Sequence, residues 1–475
     1  MIDSNTINRN LIKNTGIIGI GRISTKIVTF LLLPLYTSRL SASEYGTVDL
    51  LVTYGTLLFP IVNLQLKDAI FKYSVENRDD IDEVKRIISS GFFTSLAFVA
   101  IYLLLFYGLN VIFVIPHPCF LVIYVISSVL LSETSCMARG LGNNICYAFA
   151  NFLSSFLVVI SGIILVAWMD IGEVGLLIAY IVGPIFGTIY LFVCGELYKY
   201  LSVKDISIER IKVLLKYSLP LVPNELSWWV LHASDRTIVN FFLGVAATGV
   251  LAVANKFSLI YTTIFQIFYA SWVEQCMIVV TQKEGIIYIQ ETLHKIMIFI
   301  FFASITFISV MPFLFPIMVN SQYFEGYSLV PLYIIAALFN AVIGLLSPIY
   351  LSRNETKIVA MTTIIAGIIN IVVNILLITY MGLIAAAISS VCGYSIVAVL
   401  RIIDINKRHL KLLLSIKEIM IAVILTIFVL IAYYYNILVV NALISLMLII
   451  VTCWVNKDII GWFIRTFIRK KCTNK

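Results

Sequence analysis

Ile358-Val-Ala-Met-Thr-Thr-Ile-Ile-Ala-Gly-Ile-Ile-Asn-Ile-Val-Val-Asn-Ile-Leu-Leu-Ile-Thr-Tyr380 carries no charged side chain. Its apolar residues run on without alternating, so it reads as a helix rather than a half-buried strand. A run of about 20 such residues crosses the hydrocarbon core of a bilayer. Ile421 to Tyr433 repeats the pattern. Outward from these runs, the whole chain looks alike: 475 residues, 61% hydrophobic, 12% charged, with a mean hydropathy of +1.02. Soluble domains carry about twice that charge. A membrane β-barrel would alternate apolar and polar residues in segments of about ten. The composition therefore predicts an all-α integral membrane protein, with about fourteen spans by the length rule.

Charge orders those spans. Of 33 Lys and Arg, all but five fall in the termini or in every second loop. Cationic loops on alternate sides are the positive-inside pattern, and they predict both termini in the cytoplasm. The same topology accounts for the net charge of +8, so no nucleic-acid partner is expected. The outward loops are short, the longest being 312–328, which leaves no external domain for an active site. The eight Cys are scattered. No Cys/His cluster has metal-ligand spacing, and neither a metal nor a cofactor is expected. The first span is long and lacks a small-residue cleavage site, so it reads as a span and not as a cleaved signal.

A faint repeat is visible. Leu40-Ser-Ala-Ser-Glu-Tyr-Gly46 aligns with Leu243-Gly-Val-Ala-Ala-Thr-Gly249 at an offset of 203. Six spans separate the two starts. Both halves then begin on one side, as parallel repeats about an axis along the membrane normal. The expected organisation is an N-terminal lobe at 1–198, a cytoplasmic linker at 199–213 and a C-terminal lobe at 214–410. Two additional helices and a basic tail follow at 411–475.

The five exceptional cations are Arg22, Lys26, Arg39, Arg236 and Lys256. Four lie inside spans, where ionisable residues mark functional sites by default. Arg22 and Lys26 are one helical turn apart and share a face. Exposing both to lipid would cost roughly 5–7 kcal/mol, so a wet cavity is expected around them. The span 214–243 is the most polar, with Pro220 and Pro223 expected to kink or break its start. By the repeat offset, its Glu225 stands where Arg22 stands in the first half. Asp235 and Arg236 are sequence neighbours, about 100° apart around a helix, so each is expected to find another partner. In a hairpin turning near residue 245, Asp235 and Lys256 would sit at similar depth and pair. Asp49 lies early in the second span, Glu133 near the inner end of its span, and Lys67 and Asp68 at an interface. Glu225, Asp235, Asp49 and Glu133 are therefore candidates for charge pairing or for coupling to an H+ or Na+ gradient. His232 reads as a packing residue.

Two of these stretches resemble a known family. Arg39-Leu-Ser-Ala-Ser-Glu-Tyr-Gly-Thr-Val-Asp49, preceded by Leu33-Pro-Leu-Tyr-Thr37, is similar to the N-terminal signature of bacterial polysaccharide-biosynthesis flippases. Tyr217-Ser-Leu-Pro-Leu-Val-Pro-Asn224, with Ser234-Asp-Arg236, Phe242-Leu-Gly244 and Gly249, resembles the second-half signature. The resemblance implies a Wzx-type O-antigen or capsule repeat-unit flippase of the MATE/MOP superfamily, in a bacterial cytoplasmic membrane. It implies two six-helix lobes plus two helices, and alternating access through a cationic cavity. The substrate would be a polyprenyl-pyrophosphate-linked oligosaccharide, and the other partners membrane lipid, a polysaccharide polymerase and a chain-length regulator. Arg22, Lys26, Lys256 and Arg236 would then bind pyrophosphate. Arg22, Lys26 and Lys256 match cavity cations of the lipid II flippase on its first and eighth helices. The second helix here departs from that pattern, carrying Asp49 and no mid-depth cation. A MATE-like drug or cation antiporter is the alternative. It needs an acidic cavity, against the cationic excess seen here. A membrane polymerase or ligase would need a large outward loop.

Overall fold

The computed structural model describes residues 26, 28–109, 116–279, 283–353, 355–408 and 416–457. These residues form sixteen α-helices and no strand, as the composition requires. Eleven helices among them are long and apolar enough to cross a membrane, and the shorter Met420–Tyr435 is apolar too. Leu221–Leu243, with Glu225, Asp235 and Arg236, is not among those eleven. The chain divides into two compact units, Met1–Ala252 and Val253–Lys475.

The first unit begins with α1 (Leu33–Arg39), α2 (Ala42–Asn63), α3 (Leu66–Glu76), α4 (Ile81–Leu109) and α5 (Pro118–Gly140). It continues through α6 (Asn144–Gly162), α7 (Glu173–Val193), α8 (Ile208–Ser218), α9 (Leu221–Leu243) and the start of α10 (Val245–Val279). The signature stretch after Arg39 is a helix start. Ser41 Oγ accepts from Glu44 N–H, and Glu44 Oε2 accepts from Ser41 N–H at 2.8 Å. This reciprocal capping box satisfies two of the donors a helix N-terminus leaves open. At the other end of α2, Leu64 and Gln65 take φ of 49° and 55°. Consecutive left-handed residues other than glycine are uncommon; here they turn the chain into α3. The prolines of the polar span act as expected. α8 stops at Ser218, Pro220 is the N-cap of α9, and Pro223 sits in the first turn, where no backbone donor is needed.

The repeat has a physical counterpart. α2 begins at Ala42 and α10 at Val245, the same spacing as between Gly46 and Gly249. A Cβ on Gly46 would lie 2.8 Å from Gly249 N, and one on Gly249 would lie 2.9 Å from Gly46 N. Val245 O and Ala42 O would be closer still. Each glycine thus meets the other's backbone, and no side chain fits between them. Gly249→Val is expected to lower the thermal midpoint of the purified protein, by about 1–3 kcal/mol of overpacking. Gly249→Ala should fall between it and the parent. Unchanged melting in both would show that the helices do not meet there.

The second unit contains the rest of α10, then α11 (Lys283–Met318), α12 (Val330–Leu351), α13 (Thr356–Met381), α14 (Ile384–Arg408), α15 (Ile416–Tyr435) and α16 (Leu438–Val455). Helix replaces most of the outward loop expected at 312–328. α11 continues through Pro312 and Pro316, and a 3-10 segment covers Ser321–Leu329. The core gathers Trp272, Leu293, Leu345 and Tyr350, with Trp272 Nε1 donating to Leu345 O at 2.8 Å. The last two helices belong to this unit. Ser445 on α16 donates to Ser309 O on α11 at 2.7 Å. The stacked rings of Tyr327 and Tyr433 each donate their hydroxyl to the other's carbonyl.

Arg401, which the charge count assigns with the other cations to a cytoplasmic loop, is instead a core residue. It lies within α14 and is 1% exposed, heading the largest fully buried side chains. Its Nε and Nη2 donate to Thr362 Oγ1, at 3.0 and 2.7 Å. Nη1 donates to Ser347 Oγ at 2.6 Å and Ile343 O at 3.3 Å, and Nη2 also reaches Val359 O at 3.1 Å. All five guanidinium donors are used, and every acceptor is neutral. Asp404, one turn on, is taken by Tyr350 Oη at 3.0 Å and by Arg408 at 2.8 Å. Arg401 therefore ties α14 to α12 and α13.

Candidate functional site

The glycine contact brings the start of α2 against the α9–α10 turn, and the buried charges nearby meet. Asp49 stands two turns into α2, fixed by the Ser41 cap. Arg236 stands two turns before the end of α9, where Gly244 takes φ 88°, a conformation open to glycine. Arg236 Nε donates to Asp49 Oδ2 at 2.7 Å, with the two side chains 11% and 13% exposed. Arg236 Nη1 lies 3.5 Å from Asp235 Oδ1, which also accepts from Arg236 N–H at 2.9 Å. One guanidinium thus serves two carboxylates in a place where an unpaired charge is expensive. Trp229 Nε1 donates to Thr53 O at 3.0 Å and ties the same helices further along.

This geometry revises one expectation and satisfies another. Asp235 and Arg236 do pair, because the long guanidinium arm folds back over the preceding carboxylate. Arg236 also finds the second partner that its position demanded, on α2. Lys256, part-buried, belongs to the second unit. Glu225 is exposed on the first turns of α9, and Lys26 is exposed as well. Arg22 lies outside the described residues. Arg39 reaches Asp170 at 3.8 Å, both exposed.

Glu133 on α5 is a separate centre. It is 0% exposed. Its Oε1 accepts from Asn63 Nδ2 at 2.8 Å and from Ser95 Oγ. Asn63 ends α2 and Ser95 lies on α4, so the carboxyl joins three helices. Asp68, at the interfacial start of α3, is a half-buried acid. Desolvation pushes its carboxyl above the usual range, against the pull of Lys67 and Arg139. Among the described residues no three His, Cys, Asp or Glu could hold a metal ion together.

Eleven apolar helices of spanning length define a multi-pass helical membrane protein, and solved structures share its fold. A structure of the lipid II flippase MurJ, in an inward closed conformation, matches with a TM-score of 0.70 at 14% identity. It covers 93% of this chain and 99% of its own. An inward-facing multidrug resistance MATE family transporter matches with a TM-score of 0.63, also at 14% identity, over 82% of this chain and 98% of that one. The outward-facing form of a MATE family transporter matches with a TM-score of 0.59 and 14% identity, over 84% and 94%. No curated protein matches the sequence. The family model for polysaccharide biosynthesis proteins matches residues 11–273, more than half of the chain. The chain belongs to that family, and the matched region contains Asp49, Glu133, Asp235, Arg236 and Lys256.

Proposed function

We propose that this protein is a flippase that moves polyprenyl-pyrophosphate-linked oligosaccharide repeat units from the cytoplasmic to the outer leaflet of a bacterial cell membrane. The observation that carries the reading is its membership of the polysaccharide biosynthesis protein family. Its fold, shared with a lipid II flippase, supports the same reading. The substrate combines a lipid tail, an anionic pyrophosphate and a polar glycan. Unassisted crossing fails because the last two lose their hydration in hydrocarbon. Arg22, Lys26 and Lys256 would draw the pyrophosphate into a cationic cavity of low dielectric. Hydroxyl and amide side chains would replace water around the sugars, while the tail stays in lipid. Arg236 joins this set when its Asp49 pair opens. In the closed pairing it acts as a latch between α2 and α9, at the ends that the charge pattern assigns to the outside. Both termini lie in the cytoplasm on this reading, and the protein moves its substrate without making or breaking a covalent bond. The polymer is an O-antigen, a capsule or a related polysaccharide, so a polymerase and a chain-length regulator are the natural downstream partners.

The likeness to MATE transporters favours a drug or cation antiporter as the second reading. A deletion strain separates the two. Loss of surface polysaccharide, with single completed repeat units accumulating on polyprenyl lipid, is the expected result. Unchanged surface glycan with raised drug sensitivity would give the exporter reading. Arg22→Ala is expected to reproduce the deletion at normal protein level. Surface glycan at the parent amount in that variant would sink the cationic-cavity assignment.

A further inference from the structure

We infer that Glu133 is a proton-binding site that couples a pH gradient to the packing of α2, α4 and α5. What the proton drives rests on the flippase reading; the site itself does not. Of the four acidic candidates, Asp49 and Asp235 are engaged by Arg236 and Glu225 is exposed. Glu133 alone among the four is both wholly buried and bonded only by neutral donors, Asn63 and Ser95. Its Oε2 has no hydrogen-bond partner among the described residues.

The surrounding charges are few. Lys67 acts on Glu133 from α3, and Cys136 lies one turn on along α5. Asp68 and Arg139 act on that thiol in turn. The charged residues of α4 are confined to 82–86, α2 offers Glu44 and Asp49, α6 offers none, and α7 offers Glu173 in its first turn. Lys199 follows in the 3-10 segment Leu197–Tyr200. No ion pair links Glu133 to any of these cations among the described residues.

A carboxylate taken out of water with two neutral donors keeps a large desolvation penalty. Adding a proton to Oε2 removes the charge; releasing it again requires water or a moved donor. Occupancy is thereby tied to how α2, α4 and α5 close around the group. The adjoining chain holds uncommon backbone conformations. Asn63 is followed by the two left-handed residues Leu64 and Gln65, and the buried Gln65 Oε1 is also without a partner among the described residues.

The test uses the full-length protein in lipid vesicles. Infrared spectra across a pH series should show the C=O stretch of a protonated carboxylic acid that titrates. Glu133→Gln should lose it, and its amide can still accept from Asn63 and Ser95. Ser95→Ala removes one donor to the anion and should move the midpoint upward. A spectrum and titration unchanged by E133Q, or no titrating band in the parent, overturns the site. With lipid-linked saccharide and an imposed pH gradient, translocation by the parent should follow the gradient and that by E133Q should ignore it. Translocation by the parent that ignores pH but follows sodium overturns the coupling. If the parent moves no saccharide, the flippase reading fails, and the infrared titration still decides the site.

Discussion

Replacing Arg236 with alanine is expected to abolish transport and to lower the stability of the purified protein by about 3–5 kcal/mol, the range for removing one partner of a buried ion pair. The size follows from what is left behind. Asp49 loses the guanidinium 2.7 Å away, in a place where both side chains are largely shielded from solvent. Asp235 loses the same neighbour. Arg236→Lys keeps the charge but not the planar fork, so it should fall between alanine and the parent. The exchange Asp49→Arg with Arg236→Asp restores one opposite-charge pair while setting a second carboxylate next to that of Asp235, so its rescue should be partial. Thermal unfolding in detergent and surface glycan in cells read the two effects separately. A parent-like melting point in R236A would show that the pair holds nothing together.

Arg401→Ala is expected to be the most damaging change in the second unit, at about 3–5 kcal/mol, the usual range for truncating a large buried side chain. It would leave a cavity among α12, α13 and α14 and release all six of the guanidinium's hydrogen bonds at once. Arg401→Met should be milder. Ser347 and Thr362 also donate to carbonyls of their own helices, so losing the arginine leaves their own hydroxyl bonds intact, and methionine refills much of the volume. Arg401→Lys keeps a buried charge with three donors instead of five and should be worse than methionine. Equal melting points for the alanine and methionine variants would mean that volume is not what Arg401 supplies.

These two residues differ in how visible they are from sequence. Arg236 and Asp49 stand in apolar runs, where a charge is conspicuous. Their pairing is not legible, because 187 residues separate them and neither stretch carries a pattern that names the other as its partner. Arg401 is hidden by its place near the end of a helix, next to genuinely cationic loop residues. Its acceptors, Ser347 and Thr362, are small hydroxyl residues common in any membrane helix. Glu133 stands out as an acid within an apolar span, but Asn63 and Ser95 carry no pattern that announces them as its donors. Helix positions come through best. The continuous apolar runs locate them, and Ser41-Ala-Ser-Glu44 marks a start that a capping-box search finds.

The reciprocal contact of Gly46 and Gly249 has a bearing on ancestry. Each residue touches the backbone position equivalent to its own, as residues on the axis of a twofold homodimer do. A half-length forerunner would have used that surface against a second copy of itself, with both sides of the contact encoded once. At the repeat offset, Asp49 on α2 has Ala252 on α10 as its counterpart, so the acid has no mirror image. The glycines match across the offset while the charge beside them is one-sided, and that asymmetry lets a single arginine on α9 select the first-half helix.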